Sequence, residues 1–302
     1  MNLYLDTYML KFNKLALLSV CMLLNGCTST ELFLVNSLAR LGDYTVIEEL
    51  AYNDHEINRL NLYLPANPKQ NSGTVVFFYG GCWGGCLTLD KQNYQFVAQA
   101  LTAKGYRVII PDYRHHPEVK FDAMMQDIAQ SVIWTHEHIA EYGGDPQRIF
   151  LMGHSAGAHM AALLTLNEQY LPADVHISIK GFIGLAGPYD FLPFTEAYQP
   201  IIFGPPERYA ASQPINYVNG NEAPLLLLFG RNDRTVKPSN VASLKARVQN
   251  AGGCVETHEY HDLDHVELLS ALTVPFQNQE EVYRDIVDFL NYYSNSPAKC
   301  RT

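Results

Sequence analysis

The chain has 302 residues, 47% of them hydrophobic, 12% aromatic and 17% charged, and 21 basic against 31 acidic residues leave a formal charge of −10. That length and apolar content build one core-bearing catalytic domain with small appendages, and they exclude a disordered, collagenous or coiled-coil chain. With no run of Lys or Arg, nothing collects phosphates and releases counterions, which excludes nucleic acid as the main partner.

In chain order, the first thirty residues differ from the rest. Lys11 and Lys14 precede an apolar run from Leu15 to Leu24, and Asn25, Gly26 and Cys27 follow at once. The run is about half of the roughly twenty residues that cross a bilayer, so a signal segment is favoured over a transmembrane helix. The segment resembles a lipoprotein signal peptide, in which residues 1–26 are removed and Cys27 is acylated on its thiol and its new amine. Asp6 lies upstream, and a start at Met9 would give a cleaner signal. Thr28 rather than an aspartate follows the anchor, which by the pattern it resembles implies an outer-membrane lipoprotein of the cell envelope. An ordinary secretory signal with Cys27 uninvolved is the other reading. Residues 27–43 then form a tether with a short helix carrying Leu32, Val35 and Leu38 on one side.

Of six cysteines, Cys21 leaves with the signal and Cys27 is taken by lipid, so Cys82, Cys86, Cys254 and Cys300 remain. An exported compartment permits two disulfides. Pairing Cys82 with Cys86 and Cys254 with Cys300 is the simplest of three connectivities, because the first two share one short loop; free thiols are the alternative.

From Tyr44 the chain alternates strand and helix. Tyr44 to Tyr52 and Leu60 to Leu64, separated by Asn53-Asp54, read as an antiparallel opening hairpin. Buried-strand runs recur at Val75–Tyr79, Val108–Ile110, Ile149–Met152, Ile177–Leu185, Leu225–Phe229 and Val255–Tyr260. Amphipathic helices separate them, notably Met124–Tyr142, Ala156–Leu166, Asn240–Gln249 and Glu280–Tyr293. Short apolar strands alternating with helices specify an α/β fold, a mostly parallel sheet covered on both faces with its ligand at the carboxyl ends of the strands.

The chemistry centres on Gly153-His154-Ser155-Ala156-Gly157, where a strand runs into G-x-S-x-G and a helix begins at once. The turn is sharp enough to require glycines where side chains would collide with backbone, and it lifts the serine hydroxyl above the sheet at a helix N-terminus. A serine needs a base to take its proton, and the base needs an acid to hold one tautomer. In the order Ser, acid, His, Asp233 lies 78 residues after Ser155, in the loop following a strand, and His265 lies 32 residues further on. His258, His261 and His265 with Asp262 and Asp264 also admit a metal cluster, but a His string in a loop lacks the helical face that ligand sites use. Neither a metal nor a cofactor is expected. The acyl oxyanion needs preorganised donors, which the loop Tyr79-Gly80-Gly81-Cys82-Trp83-Gly84-Gly85-Cys86 can supply from its amides.

The elbow with its continuation Ala158-His159-Met160, the preceding Tyr142-Gly143-Gly144-Asp145, and Pro111-Asp112-Tyr113-Arg114 before Pro117-Glu118 resemble the α/β-hydrolase superfamily. The resemblance is closest to its esterase/lipase and kynurenine-formamidase-like branch, including bacterial feruloyl-esterase-like members, and spans residues 44–294, with 295–302 as a tail. It implies that Gly81 and Cys82 join Ala156 as oxyanion donors. The branch commonly has His-Gly-Gly where this chain has Tyr79-Gly80-Gly81, which puts the loop's supporting hydrogen bonds in question. Asp112, Arg114 and Asp127 look structural in that branch. Trp83 is expected to roof the substrate pocket, with core packing as its alternative, and Tyr189 to line it. Pro224 lies 35 residues after Tyr189, and the stretch between them is rich in Pro and aromatics, a short cap over a cleft open to small acyl or aryl esters. The chain is therefore expected to be a cell-envelope serine esterase with a small-molecule ester as partner. An arylformamidase of the same fold and a non-catalytic hydrolase-fold binding protein are the rivals.

Overall fold

In the computed structural model residues 28–277, 281–295 and 300 are described. The expected signal segment, Cys27 and residues 296–299 and 301–302 of the tail lie outside them. In chain order the elements are α1 (Thr28–Ala39), β1 (Tyr44–Ala51), β2 (Arg59–Pro65), β3 (Thr74–Phe78), α2 (Gln95–Thr102), β4 (Arg107–Pro111), α3 (Phe121–His138), β5 (Ile149–His154) and α4 (Ala156–Leu166). There follow α5 (Ala173–Ser178), β6 (Ile179–Leu185), α6 (Gln199–Phe203), β7 (Leu225–Gly230), α7 (Ser239–Ala251), β8 (Val255–Tyr260), α8 (Glu267–Ser270) and α9 (Glu281–Asn295). Among the described residues no helix is long and apolar enough to cross a membrane.

The eight strands form one sheet in the order β1-β2-β4-β3-β5-β6-β7-β8, with β1 and β2 antiparallel and β3 to β8 parallel. The central strands are apolar along their length because helices cover both faces: every side chain of β3 and β5 is buried. The chain leaves β3 for β4 on one side and returns past β3 to β5 on the other. That reversal opens a crevice beyond the carboxyl ends of β3 and β5, where ligands sit in doubly wound sheets.

Three expectations change. Ile177 and Ser178 end helix α5 rather than begin a strand. The helix expected to run to Tyr142 stops at His138 and tightens into a 3-10 turn, closed by Gly143 in the left-handed region at φ 72°. Helix α1 packs Leu32 and Val35 against the core as expected, but not Leu38. Leu38 is 43% exposed while Asn36 and Ala39 are buried, because Asn36 donates to the Asn93 carbonyl at 2.8 Å and accepts the Phe96 amide at 3.1 Å. A polar residue anchors the helix against α2, which a count of apolar spacing cannot reveal. Helix α1 is thus docked on the domain through Asn36.

Both expected disulfides are present, Cys82–Cys86 across four residues and Cys254–Cys300 across 46. By loop-closure entropy the long bridge stabilises the fold by about 4 kcal/mol and the short one by about 2.

Candidate active site

Ser155 stands between β5 and α4 at φ 54°, ψ −124°, a conformation that costs on the order of 1–3 kcal/mol in a residue with a side chain. Glycine makes the turn possible: a Cβ on Gly157 would lie 2.1 Å from the Phe78 carbonyl oxygen and 2.4 Å from that of Tyr79. The Ser155 amide donates to Leu185 at 2.9 Å, fastening the elbow to the end of β6. Ala156 opens α4, so its N–H is one of the helix's unpaired first-turn donors.

Facing the elbow is the glycine loop after β3. Gly81, Cys82, Trp83 and Gly84 all have positive φ, at 118°, 56°, 56° and 87°. The loop passes so close to the nucleophile that a Cβ on Gly80 would stand 3.1 Å from the Ser155 Cβ. Its support survives the tyrosine at position 79. The Tyr79 phenol donates to Asp112 at 3.0 Å, its carbonyl accepts from the Tyr113 phenol at 2.7 Å, and its ring stacks between those of Tyr94 and Tyr113. Asp112 is held in turn by Lys91 at 2.6 Å, and Arg114 forks onto the buried Asp127 at 2.7 and 2.9 Å. These groups brace the loop and the strand ends without reaching the elbow.

The acid and the imidazole meet as the chain order anticipated. His265 Nδ1 donates to Asp233 Oδ2 at 2.7 Å, while Asp233 Oδ1 accepts the amides of Thr235 and Val236, both at 2.8 Å. With its side chain only 1% exposed, the carboxylate is shielded and held by three donors. The two loops are laced together by backbone, the Asn232 amide donating to Leu263 and the Arg231 amide to Tyr260. With Nδ1 committed to Asp233, the imidazole presents Nε2 as its free acceptor. Among the described residues no hydrogen bond joins Ser155 to His265, so the His–Asp leg is closed while the Ser–His leg is open; in unliganded sites such legs commonly tighten on binding.

His154, beside the nucleophile in sequence, connects the two halves. Its Nε2 donates to the His265 carbonyl at 2.9 Å, its ring lies 4.7 Å from that of His265, and its Nδ1 faces Gly80. Burial, with the His265 imidazole adjacent, drops its pKa to about 3, so it stays neutral and keeps the Nε2 proton it donates. Sequence reading gave His154 and His159 no part; their positions flanking the elbow serine were the available signal.

The rival residues disperse. His258 pairs with Asp285 at 3.3 Å, His265 with Asp233, and His261 is exposed. Asp264 points into its own turn: it accepts the Glu267 amide at 2.9 Å while Glu267 accepts that of Asp264 at 2.9 Å, a capping box at the start of α8.

The two pocket residues need correction. Trp83 is 4% exposed; rather than roofing a cleft, it sits within an aromatic cluster of Phe191, Phe203 and His159 under the cap. Tyr189 is wholly buried, its hydroxyl against Gly184 and Gly187 at the end of β6. The cap's helices press these aromatics inward, so their exposure is set by tertiary packing.

A serine on the elbow, two candidate amide donors and a carboxylate-oriented imidazole can together carry out acyl transfer. Known proteins with this likeness are named for related chemistry. A probable isoprenylcysteine alpha-carbonyl methylesterase of Arabidopsis thaliana is 28% identical over 80% of this chain and 55% of its own. Kynurenine formamidase of Danio rerio is 25% identical over 74% of this chain and 76% of its own. A probable carboxylic ester hydrolase of Mycobacterium tuberculosis is 26% identical over 64% and 49%. The chain spans about half the length of the plant methylesterases it matches. Among solved structures, esterase B of Lactobacillus rhamnosis superposes with a TM-score of 0.72 at 19% identity, covering 88% of this chain and 93% of that one. A putative thioesterase of Silicibacter gives 0.68 at 21%, covering 89% and 95%. At such identities the likeness fixes the fold, which is that of the α/β-hydrolase esterases. The BD-FAE family model matches residues 60–248, from the second strand into α7 and through the glycine loop, Ser155 and Asp233, and the chain belongs to that family.

Proposed function

We propose that the protein is a serine esterase that cleaves small acyl or aryl esters through an acyl-enzyme. Ser155 attacks the carbonyl, His265 takes its proton and returns it to the leaving alcohol, and Asp233 holds His265 in the Nδ1–H tautomer. The amides of Cys82 and Ala156, with Gly81 beside them, stabilise the tetrahedral oxyanion. The observation that carries the reading is the 2.7 Å His265–Asp233 pair beside a serine in the strained elbow conformation. No cofactor enters this mechanism. The formamidase relative, which covers three quarters of both chains, favours a second reading in which the same groups cleave an aryl formamide. A panel of p-nitrophenyl esters, aryl acetates, feruloyl esters and N-formylkynurenine separates the two; turnover of none of them would leave a non-catalytic binding protein.

The two disulfides should separate in their effects. Removing Cys82–Cys86 frees Cys82 and Trp83, both held at positive φ in the proposed oxyanion loop, so Cys82→Ser with Cys86→Ser is expected to lower kcat about tenfold at unchanged KM. Removing Cys254–Cys300 is expected to leave kcat alone and lower Tm by roughly 5–10 °C. Steady-state kinetics and calorimetry read both, and equal kcat values would exclude the short bridge from the geometry of the site.

We further propose that the protein is an outer-membrane lipoprotein anchored through Cys27. Cys27→Ser should abolish lipid labelling and membrane attachment without changing the domain's specific activity, and a mature N-terminus mapped elsewhere by mass spectrometry overturns the anchor.

A further inference from the structure

Trp83 follows Cys82 directly, and its indole Nε1 lies 3.1 Å from Nδ1 of His159. An indole N–H can only donate, so Nδ1 accepts and the imidazole proton resides on Nε2, which donates to the Ser212 carbonyl at 2.6 Å. One buried ring thereby ties together three segments: the glycine loop, helix α4 one turn beyond Ser155, and the 3-10 segment Pro206–Ser212 of the cap. Burial lowers its pKa to about 4, which keeps this donor–acceptor arrangement in place at neutral pH.

The cap side of the link is itself braced. Gln213 accepts the Phe191 amide at 2.8 Å and donates to the Ser212 hydroxyl at 2.9 Å, and Phe191 stacks on Trp83 at 5.7 Å. On the loop side, Cys82 and Trp83 hold left-handed conformations that cost about 1–2 kcal/mol per residue and persist only where neighbours over-determine them. The bond to His159 is one such constraint, and the disulfide is another.

We propose that His159 is a positioning residue that couples the cap to the oxyanion loop. While the cap is seated, the Ser212–His159–Trp83 chain holds the Cys82 amide toward the acyl oxygen. A substrate large enough to lift the cap breaks that chain and loses turnover as well as affinity, so the link deepens the selection for small acyl groups. The inference rests on the reading of Cys82 as an oxyanion donor; His159 itself touches no reacting atom.

The test compares His159→Phe, His159→Gln, Trp83→Phe and the double variant His159→Phe with Trp83→Phe. It reads kcat and KM for p-nitrophenyl acetate and the rate of inactivation by a phosphonate ester, whose oxygen enters the oxyanion site. His159→Phe should lower kcat and the inactivation rate together by roughly 10- to 100-fold, less than the ~10²–10³ of deleting a donor outright, with KM within about threefold. His159→Gln, whose amide can accept from Trp83 and donate to Ser212, should return to within about fivefold of the wild-type value. Trp83→Phe should match His159→Phe, and the double variant should lose no more than either alone. A raised KM at unchanged kcat, or losses that multiply in the double variant, would assign His159 to packing only. Should His159→Phe fail to fold, Trp83→Phe and His159→Gln decide the same question. Activity surviving in Ser155→Ala would remove the acyl-enzyme reading itself; an inactive Ser155→Ala beside fully active His159→Phe and Trp83→Phe removes this inference alone.

Discussion

Replacing Ser155 with alanine is expected to lower ester turnover by roughly four to six orders of magnitude and to abolish labelling by a fluorophosphonate probe. The size follows from what the change leaves behind. The elbow backbone is fixed by the Leu185 carbonyl and by the close approach of Gly157 to β3, neither of which involves the hydroxyl. Alanine adopts φ 54° at a cost similar to that of serine, so the fold and the amide donors persist. What disappears is the atom that the proposed mechanism acylates. The residual rate then reports the donors and the imidazole acting on bound water, and Tm should move by no more than a few degrees. Full labelling of the alanine variant, or turnover within a hundredfold of wild type, would place the nucleophile elsewhere.

Why some of this was legible in the sequence and some was not comes down to the range of the forces involved. The elbow is a local device: its glycines, its strand and its helix lie within a few residues, and steric exclusion at Gly157 is written in the motif. The parallel strands declare themselves because burial on both faces leaves no polar position in runs such as Leu225–Leu228. Asp233 and His265 follow from chain order once the elbow is placed, since each lies just beyond a strand end on the same edge of the sheet. Trp83 and Tyr189 failed as pocket residues for the opposite reason. Their exposure depends on how the cap folds back over residues far away in sequence, and aromatics that look alike in a list divide into wall and core only when Phe191 and Phe203 have found their places. The burial of Asn36 on the inward side of α1 was hidden for a similar reason: its partners are the Asn93 carbonyl and the Phe96 amide, a long-range match with no local signature. The same is true of His159, whose two ring nitrogens meet segments 76 and 53 residues away.

The acid separates from its neighbours by geometry that a single substitution can probe. Asp233→Asn is expected to lower kcat by about 10³ to 10⁴, whereas Asp264→Asn changes it by less than about tenfold. In the native arrangement Oδ1 of Asp233 accepts two amides, from Thr235 and Val236, and Oδ2 accepts the His265 Nδ1 proton. An asparagine there keeps its carbonyl on the two amides, because flipping it would turn an NH₂ toward two backbone donors and leave both unpaired. Its NH₂ group must then face His265 Nδ1 and donate to it. That reverses the tautomer: the imidazole proton moves to Nε2, where it points toward Ser155 as a donor, and the ring can no longer accept the serine proton at neutral pH. The stabilisation of the imidazolium formed during attack is lost as well. Asp264 has no such leverage, since its carboxylate is exposed and is spent on the amides of Val266 and Glu267 at the start of α8. An amide oxygen there still accepts both, so the His265 loop keeps its shape. His261→Gln should be equally mild and His265→Gln severe. Raising the pH should partly restore Asp233→Asn, as hydroxide takes the Ser155 proton in place of the ring, and should not restore an acyl-enzyme in Ser155→Ala. If Asp264→Asn proved the more damaging of the two, or if a chelator abolished turnover, the acid would be misassigned and the histidines between positions 258 and 265 would have to be reconsidered as ligands.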